Sequence, residues 1–415
     1  MIGRNDLHGA ERTGPDPETA GGAPPEAAAL PGDFVGRRRT LLWLALRTGA
    51  LTVLTLGLYR FWMKTRLRRW YWSSVRIGRI PAEYVGDPFE KLLGFLIAVV
   101  FLAFYIGIVN LVLMFLSFSL FKGNAAAYLL SLIGIVPLWF YASYRARRYV
   151  LARTRWRGIR FGLEPGAWGY AWRAVLHWAL TLLTLGLLWP RMRFWLEKYH
   201  TDRTWYGDLR LEQGGSWTML LRPLLQVLAP LLLLAAGGVA MAAGLAPPPL
   251  LALPLLLWAG YGLAACKTLA FARLTEAKRA GGIGFEPRPR VWRVFWIYVL
   301  GYGLAGLVAS VFLIPVSIVL VVAFGMAGEL GLDLAALEQL PRGLLVLVGS
   351  LAYFSLFLVW SALRHAFVTM PLWRHFAETL TLRDPGRLCL VAQRPRDAFA
   401  EAEGFAEALD VGAAI

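Results

Sequence analysis

The most constraining feature of this sequence is a run of 44 residues, 223–266, that contains no Asp, Glu, Lys or Arg. One bilayer crossing needs about 20 consecutive apolar residues, so this run is long enough for two helices. Gly244 and the three prolines at 247–249 interrupt it near its middle, and proline ends helices because it lacks a backbone donor. The run therefore predicts a helical hairpin inside a membrane.

Four further uncharged runs have the same character: 92–121, 123–144, 294–328 and 343–363. Only 17% of the residues are charged, against roughly 25% in an average soluble domain. We therefore predict an all-α polytopic membrane protein in which three helical hairpins supply six firm spans. The predicted spans are about 92–118, 126–143, 222–243, 250–271, 294–322 and 343–366.

Two further apolar segments are weaker. Residues 41–59 are interrupted by Arg47, and residues 174–190 contain His177 and end at Pro190. Each segment joins one basic cluster to another, so a full crossing would place a basic cluster outside, against the positive-inside rule. We therefore predict that these two helices re-enter the membrane or lie at its interface, with ordinary spanning as the alternative.

The distribution of charge predicts the orientation. The segments 60–79 and 145–160 each carry seven Lys or Arg and no acid, whereas the hairpin tip 116–128 carries only Lys122. Short loops rich in Lys and Arg stay in the cytoplasm. The hairpin tips are therefore expected outside and both chain ends inside.

The chain contains a predicted tandem repeat. Displaced by 129 residues, the segment TLGL at 55–58 falls on TLGL at 184–187, and Gly78 falls on Gly207 without a gap. Fixed-period similarity of this kind indicates repeated structural units. The predicted organisation is a disordered tail at 1–33, a first membrane unit at 34–165, a second at 166–291, a third helical hairpin at 292–382 and a polar acidic tail at 383–415.

Apolar residues alternate in the segments that follow the basic helices, at 80–84, 159–163 and 209–211. A period of two indicates short strands. Because lone strands are unstable, three or four of them could pair into a small cytoplasmic β element, with plain loops as the alternative. The residues expected to hold the repeated motif are Thr55, Gly57, Gly78, Gly86, Gly158, Gly186 and Gly207.

The phrase TLGLYRFW at 55–62, the basic and aromatic stretch that continues to Trp72, and the later Tyr84-Val85-Gly86 resemble the YjgN family of bacterial inner-membrane proteins. The resemblance covers about residues 34–390. The second copy departs from the motif, because LWP at 188–190 stands where Tyr-x-x-Trp is expected. The resemblance implies a multi-pass protein of the bacterial inner membrane, and since the family's activity is undefined it implies no chemistry.

The basic and aromatic residues at the helix ends predict contact with lipid. Aromatic rings favour the depth of the headgroups, and guanidinium groups favour phosphate. Generic anchoring without a specific lipid is the alternative, and no nucleic-acid-binding signature is present. The candidates for binding anionic lipid of the cytoplasmic leaflet are Trp62, Arg66, Arg69, Trp70, Trp72 and Arg47.

No catalytic or metal-binding constellation is recognisable, so neither a cofactor nor an enzymatic activity is expected. Cys266 and Cys389 are too few for a cysteine-rich metal site. Asn110 and His177 are the intramembrane polar candidates, and helix–helix hydrogen bonds explain both. The predicted function is a non-enzymatic membrane scaffold or transport-like protein, and the alternative is a solute transporter or channel with a cavity between the duplicated units.

Overall fold

The computed structural model of the chain describes residues 29–120, 126–244, 252–323 and 341–395. In these ranges, helices and short strands alternate along the sequence. The helices are α1 (Arg38–Leu54), α2 (Arg60–Ser74), α3 (Pro88–Leu120), α4 (Ala126–Ala152), α5 (Ala167–Leu183), α6 (Trp189–Thr201), α7 (Leu221–Ala242), α8 (Ala252–Glu276), α9 (Val291–Ala323), α10 (Arg342–Arg364) and α11 (Met370–Glu378). The strands are β1 (Leu30–Phe34), β2 (Val75–Ile77), β3 (Ile80–Tyr84), β4 (Thr154–Trp156), β5 (Ile159–Leu163), β6 (Thr204–Tyr206), β7 (Leu209–Gln213), β8 (Lys278–Ala280), β9 (Ile283–Pro287) and β10 (Leu380–Arg383).

The ten strands form one closed antiparallel barrel, in the order β1-β10-β9-β8-β7-β6-β5-β4-β3-β2. We name the pairing of β1 with β10 the seam. It joins the first and last described strands: β1 pairs with β10 through Leu30 and Leu382, and with β2 through Phe34 and Val75. The prediction of an all-α fold is therefore wrong. Strands of three to five residues give almost no hydropathy signal, and their closure depends on segments more than three hundred residues apart.

Strands do occur where the alternating pattern predicted them, at β3, β5 and β7. Each is the second strand of a tight hairpin with a two-residue turn. In the β2–β3 turn, Gly78 and Arg79 have φ of 57° and 67°, the left-handed conformation that two-residue hairpin turns require. The predicted β element was thus placed on the right segments, but a small sheet was expected instead of a barrel.

Every helical hairpin starts and ends at the barrel. The strand β3 leads into α3, α4 returns to β4, and β3 pairs with β4 through Ala82 and Trp156. The same order holds for the pairs α1–α2, α5–α6 and α7–α8, and for α9 with α10–α11. The barrel therefore lies at one common end of the helical hairpins.

The two weak apolar segments form the first arms of short helical hairpins. The helix α1 packs against α2, and α5 packs against α6. At the two tips the backbone repeats closely: φ is 50° at both Leu56 and Leu185, and 93° and 90° at Gly57 and Gly186. The chain thus turns back after each weak segment, and both ends of each hairpin meet the barrel.

Four helices within the described ranges are long and apolar enough to cross a membrane: Trp217–Ala242, Ala252–Glu276, Val291–Val311 and Gly349–Glu378. They overlap four of the six predicted spans. The other two predicted spans lie in α3 and α4, whose side chains are only partly described. The predicted hairpin tips fall largely on 121–125, 245–251 and 324–340, outside the described residues.

The folded part of the chain extends further in both directions than predicted. The strand β1 begins at Leu30, inside the segment 1–33 that was predicted to be a disordered tail. At the other end, residues 385–393, here named the cap, belong to the predicted polar tail but pack on the barrel. Residues 1–28 and 396–415 lie outside the described part of the chain.

The cap crosses the end of the barrel at which the hairpin turns lie. Arg387 Nη1 donates a 2.6 Å hydrogen bond to the carbonyl of Gly281 in the β8–β9 turn. The amides of Asp208 and Ala392 donate to the Ala392 carbonyl and the Asp208 carboxylate, each at 3.0 Å. Leu388 is buried among the residues that line the barrel. The cap therefore covers this end with the buried Leu388 and the half-buried Val391.

Replacing Gly32 tests the seam. A Cβ atom at Gly32 would overlap the carbonyl oxygen of Ala377, and overpacking of this kind costs typically about 2 kcal/mol or more. Gly32→Ala is therefore expected to lower the Tm in detergent clearly. Gly162→Ala in β5 is the matched control, because a Cβ there meets nothing within 4 Å. Equal melting temperatures for the two variants would contradict a seam built on β1.

Candidate functional site: a cationic pocket between two helical hairpins

The basic residues of α2 divide between two faces of the helix. Arg60, Lys64 and Arg68 follow one another at intervals of four residues, so they lie on one face. Arg66 is exposed on another face, whereas Arg68 is only 3% exposed. The face with Arg60, Lys64 and Arg68 is turned into the protein.

This face lines a cavity of about 130 Å³ that lies against the end of α10. The other charged lining residue is Arg364, which is exposed at the last position of α10. We name this cavity the cationic pocket; its lining residues are Arg60, Met63, Lys64, Leu67, Arg68, Ser361, Arg364 and His365. Four of these eight residues carry a fixed positive charge, and none carries a carboxylate.

The wall opposite α2 is shaped by a π-helical turn. Residues His365–Thr369 form this turn between α10 and α11, and π turns frequently occur at functional sites. His365 is 5% exposed, and its Nδ1 lies 3.2 Å from the hydroxyl of the fully buried Tyr71. Burial raises the pKa of the Tyr71 hydroxyl, so it stays protonated and donates a 3.4 Å hydrogen bond to the backbone carbonyl of His365. The pocket wall is therefore fixed by a buried polar contact between α2 and the π turn.

A second charge cluster lies where α3 and α4 meet the barrel. Arg153 Nη2 donates hydrogen bonds to both carboxylate oxygens of Glu90, at 3.0 and 2.8 Å. The hydroxyl of Tyr149 donates to the same carboxylate at 2.9 Å. Close by, the fully buried Lys91 donates to the hydroxyl of Thr65 at 3.1 Å. This cluster therefore contains its own anionic partner.

A third cluster lies where α6 meets β8. Lys278 Nζ donates a 2.7 Å hydrogen bond to Glu197 Oε1, whose side chain is only 11% exposed. Burial alone would raise the pKa of Glu197, but Lys278 and then Arg147 hold the pKa of this carboxyl well below its ordinary value. Burial and Arg147 also lower the pKa of the neighbouring His200, which stays neutral near pH 7. This cluster, too, is balanced by a carboxylate.

Of the predicted lipid-binding residues, Arg47 and Arg66 face outward, and Trp62 is half-buried. Arg66 is exposed, and its guanidinium lies 5.7 Å from the ring centroid of Tyr59. Arg47 is exposed and lies 5.7 Å from the ring of Trp43, while Trp62 stacks on Tyr59. These residues form an outer surface that is separate from the cationic pocket.

The other three predicted lipid-binding residues contact the rest of the protein. Arg69 donates a 2.9 Å hydrogen bond to the carbonyl of Gly86, which follows β3. Trp72 Nε1 donates to the hydroxyl of Thr154 at 3.0 Å, and Trp70 packs against the core between α1 and β1. The structure gives these side chains a role in holding α2 to the barrel.

The residues of the repeated motif lie at turns. The Thr55 hydroxyl accepts a 2.9 Å hydrogen bond from the amide of Tyr59 across the α1–α2 tip. The glycines divide between the two kinds of turn: Gly57 and Gly186 in the helical tips, Gly78, Gly158 and Gly207 in the β hairpins, and Gly86 directly after β3. They set backbone geometry and do not line the cationic pocket.

The two intramembrane polar candidates lie away from the pocket. Asn110 lies in α3, but its side chain is outside the described part of the structure. His177 is half-buried on α5, and within the described ranges its imidazole makes no hydrogen bond. The described residues also include no group of three His, Cys, Asp or Glu side chains that could hold a metal ion.

None of the residues that line the cationic pocket was among the predicted lipid-binding residues. The intervals between Arg60, Lys64 and Arg68 were a readable signal, because they place three cations on one helix face. Arg364 and His365 gave no such signal, since nothing in the sequence pairs α2 with a helix end about three hundred residues later. The exposed Arg66 was therefore chosen over the pocket residues.

Replacing Glu197 tests the balance of the third cluster. Removing one partner of a buried ion pair costs about 3 kcal/mol, so Glu197→Gln should lower the free energy of unfolding at pH 7. Because folding lowers the pKa of Glu197, its stabilisation is present above the ordinary carboxyl pKa of about 4.3 and is lost as the pH falls.

The difference in Tm between wild type and Glu197→Gln should therefore shrink from pH 7 to about pH 3. Glu276→Gln is the control, because the Glu276 side chain is 61% exposed and 3.7 Å from Arg273. A difference that stays constant with pH would contradict a paired Glu197 carboxylate.

Comparison with known sequences gives one match. A family described as "Bacterial protein of unknown function (DUF898)" matches residues 29–307, which is 279 of the 415 residues. No curated protein and no solved structure matches the chain. The matched range runs from β1 into α9, so it includes nine of the ten barrel strands and the α2 face of the pocket. The chain belongs to this bacterial DUF898 family.

Proposed function

We propose that this protein is a non-enzymatic protein of the bacterial inner membrane that binds the headgroup of an anionic lipid in the cationic pocket. The observation that carries the proposal is the convergence of four cationic side chains on one cavity of about 130 Å³. Three of them come from α2 and the fourth, Arg364, comes from the end of α10. Clustered cations with low-dielectric walls concentrate anions.

The size and chemistry of the pocket suit a phosphate group. A single water needs about 10–15 Å³ of such space, so about 130 Å³ holds an anion with several oxygen atoms. Arg and Lys both donate charge-assisted hydrogen bonds to phosphate oxygens. Of the lining residues, Arg364 is exposed and Arg68 is buried. A headgroup that enters the pocket therefore meets positive charge both at the surface and in the interior.

The position of the pocket along α10 fits the depth of lipid headgroups. The uncharged run 343–363 ends at Arg364, and basic residues favour the boundary where hydrocarbon gives way to water. The α1–α2 hairpin continues beyond this level, because a Cβ at Gly49 would lie 3.0 Å from Leu358. Its tip carries Leu56, which is 94% exposed. These features support a hairpin that re-enters the cytoplasmic leaflet, with the pocket at headgroup depth.

The orientation, the repeat and the inner-membrane location are part of the same proposal. The basic helix ends favour a barrel and chain termini on the cytoplasmic side. The matching tip geometry at Leu56 and Leu185 supports the tandem repeat, and the YjgN resemblance supports the inner membrane. Among the described residues, no specific feature favours the alternative of a solute transporter with a cavity between duplicated units.

The first test removes two pocket cations. Lys64→Gln combined with Arg364→Gln should weaken phosphatidylglycerol binding about thirtyfold, because each basic residue near an anionic headgroup contributes about 1 kcal/mol. Native mass spectrometry of the detergent-purified protein, titrated with phosphatidylglycerol, measures the number of bound lipids and their affinity. Phosphatidylcholine, which carries no net charge, should bind weakly to both proteins.

Arg47→Gln combined with Arg66→Gln is the matched control, because it also removes two charges but from the outer surface. An equal loss of lipid in this control would show that binding depends on overall surface charge and not on the pocket. A second control is soluble glycerol phosphate. If it competes as well as phosphatidylglycerol, the pocket binds phosphate groups in general and the lipid proposal fails.

The second test concerns orientation. In a cysteine-free background, single cysteines at Arg39, Ser73 and Glu83, which are all exposed near the barrel, should not react with an impermeant maleimide added outside intact cells. They should react after the membrane is permeabilised. A cysteine at Leu56 should stay protected in both cases, because the tip lies in hydrocarbon. Labelling of Ser73→Cys from outside would contradict a cytoplasmic barrel.

A further inference from the structure

The interior of the barrel contains a second cavity, of about 220 Å³, which we name the lumen. Inward-facing residues of most strands and Leu388 of the cap line it. Barrel diameter grows with the number of strands, and eight strands already leave room for side chains or one small ligand. Ten strands enclose a wider space, and the small side chains of Ala82 and Ala280 leave part of it unfilled.

The walls of the lumen offer no free polar group. Three lining residues carry polar side-chain atoms, and each atom is bonded within the protein. The Tyr206 hydroxyl donates to the carbonyl of Trp156 at 3.0 Å, and Trp156 Nε1 donates to the carbonyl of Ile80 at 3.3 Å. The Thr154 hydroxyl donates to the carbonyl of Val150 at 2.8 Å. A water molecule in the lumen would therefore find no hydrogen-bond partner.

A cavity of this kind favours an apolar occupant. Apolar cavities stay dry, and one of about 150 Å³ in another protein takes up benzene. The lumen is larger, and burying hydrocarbon there removes it from water at no cost in unsatisfied polar groups. An empty space of this size is unusual at the packing density of protein interiors.

The two ends of the lumen differ. At the helix end, the last residues of the longer strands are buried in the packing against the helices, as for Phe34, Tyr84 and Leu163. At the turn end, within the described residues, the cap covers the lumen with the buried Leu388 and the half-buried Val391. Exposed Arg79 and Arg157 lie in two hairpin turns of this end, and Asp208 lies in a third turn, where its carboxylate accepts a hydrogen bond from the amide of Ala392. An acid group on the side of Arg79 and Arg157 would therefore meet cations.

We propose that the lumen binds one acyl chain of an anionic amphiphile, with the hydrocarbon inside the barrel and the acid group at the turn end beside the cap. The apolar lumen accounts for the chain, and Arg79 and Arg157 in the β2–β3 and β4–β5 turns account for the acid group. A free fatty acid and a phospholipid share this chemistry. The lumen shares no lining residue with the cationic pocket, so this site is independent of the proposed function.

The test uses dodecanoic acid with a diazirine near its methyl end as a photoreactive probe on the full-length protein in detergent. Peptide mapping by mass spectrometry should locate crosslinks on lumen residues such as Phe161, Tyr206 and Leu209. Ala82→Leu, which fills the lumen, should reduce these crosslinks about tenfold without lowering the Tm. Ala280→Val is the second variant, with a smaller addition of volume, in case the first does not fold.

Glu212→Leu is the matched control, because it adds the same side chain to the exposed outer wall of β7. It should leave the lumen crosslinks unchanged. Competition by unlabelled dodecanoic acid shows that the site is saturable. Competition by phosphatidylglycerol at lower concentrations than dodecanoic acid assigns the site to a phospholipid chain, and weaker or no competition by phosphatidylglycerol assigns it to free fatty acids. Absence of lumen crosslinks in the wild type, or crosslinks that persist in both filled variants, would overturn the proposal and leave the lumen as a packing void.

Discussion

The pairing of β1 with β10 is the interaction on which the rest of the structure depends. A sheet with open edges leaves backbone donors and acceptors unpaired, and closure into a barrel removes those edges. Here closure requires that residues near 30 meet residues near 382. Since every helical hairpin is inserted between two barrel strands, the seam fixes which helices are neighbours. It brings α1 and α2 beside α10, and the cationic pocket exists only because of this arrangement.

Charge at the junction between helices and barrel follows from the same geometry. Each hairpin returns to the barrel through a helix end rich in Arg and Lys, and closure of the barrel crowds these ends together. Crowded cations need counter-charges, particularly where they are shielded from water. Glu90 and Glu197 supply them at two junctions, with contacts of 2.8 and 2.7 Å to Arg153 and Lys278. The third junction, at the seam, has cations on both walls of the cationic pocket, and the proposed headgroup would bring its negative charge to this cavity.

The sequence predicted those parts of the fold that depend on residues close together in the chain. Uncharged runs of about 20 residues or more located the long helices. The repeated TLGL phrases lie at both helical tips, although they were predicted to lie within helices 41–59 and 174–190. Alternation located β3, β5 and β7, but the closing strand β1 lies in a segment rich in Gly and Pro that was assigned to a disordered tail. The candidate site divided in the same way: Arg66 and Trp62 were recognisable as an outer basic and aromatic surface. That Lys64 and Arg364 line one cavity could not be recognised, because this arrangement depends on barrel closure across about three hundred residues.

The stability of the closed barrel depends on how well its interior is filled. Strands of three to five residues contribute few backbone hydrogen bonds each, so much of the barrel's stability must come from apolar contact inside it. That contact is incomplete, because Ala82 and Ala280 face a cavity that water cannot stabilise. A ligand that binds only the closed barrel adds its binding free energy to folding. Since Leu388 of the cap also faces the lumen, such a ligand would stabilise the cap and the β1–β10 seam together. Stabilising the seam would also stabilise the packing of α1 and α2 beside α10, which forms the cationic pocket.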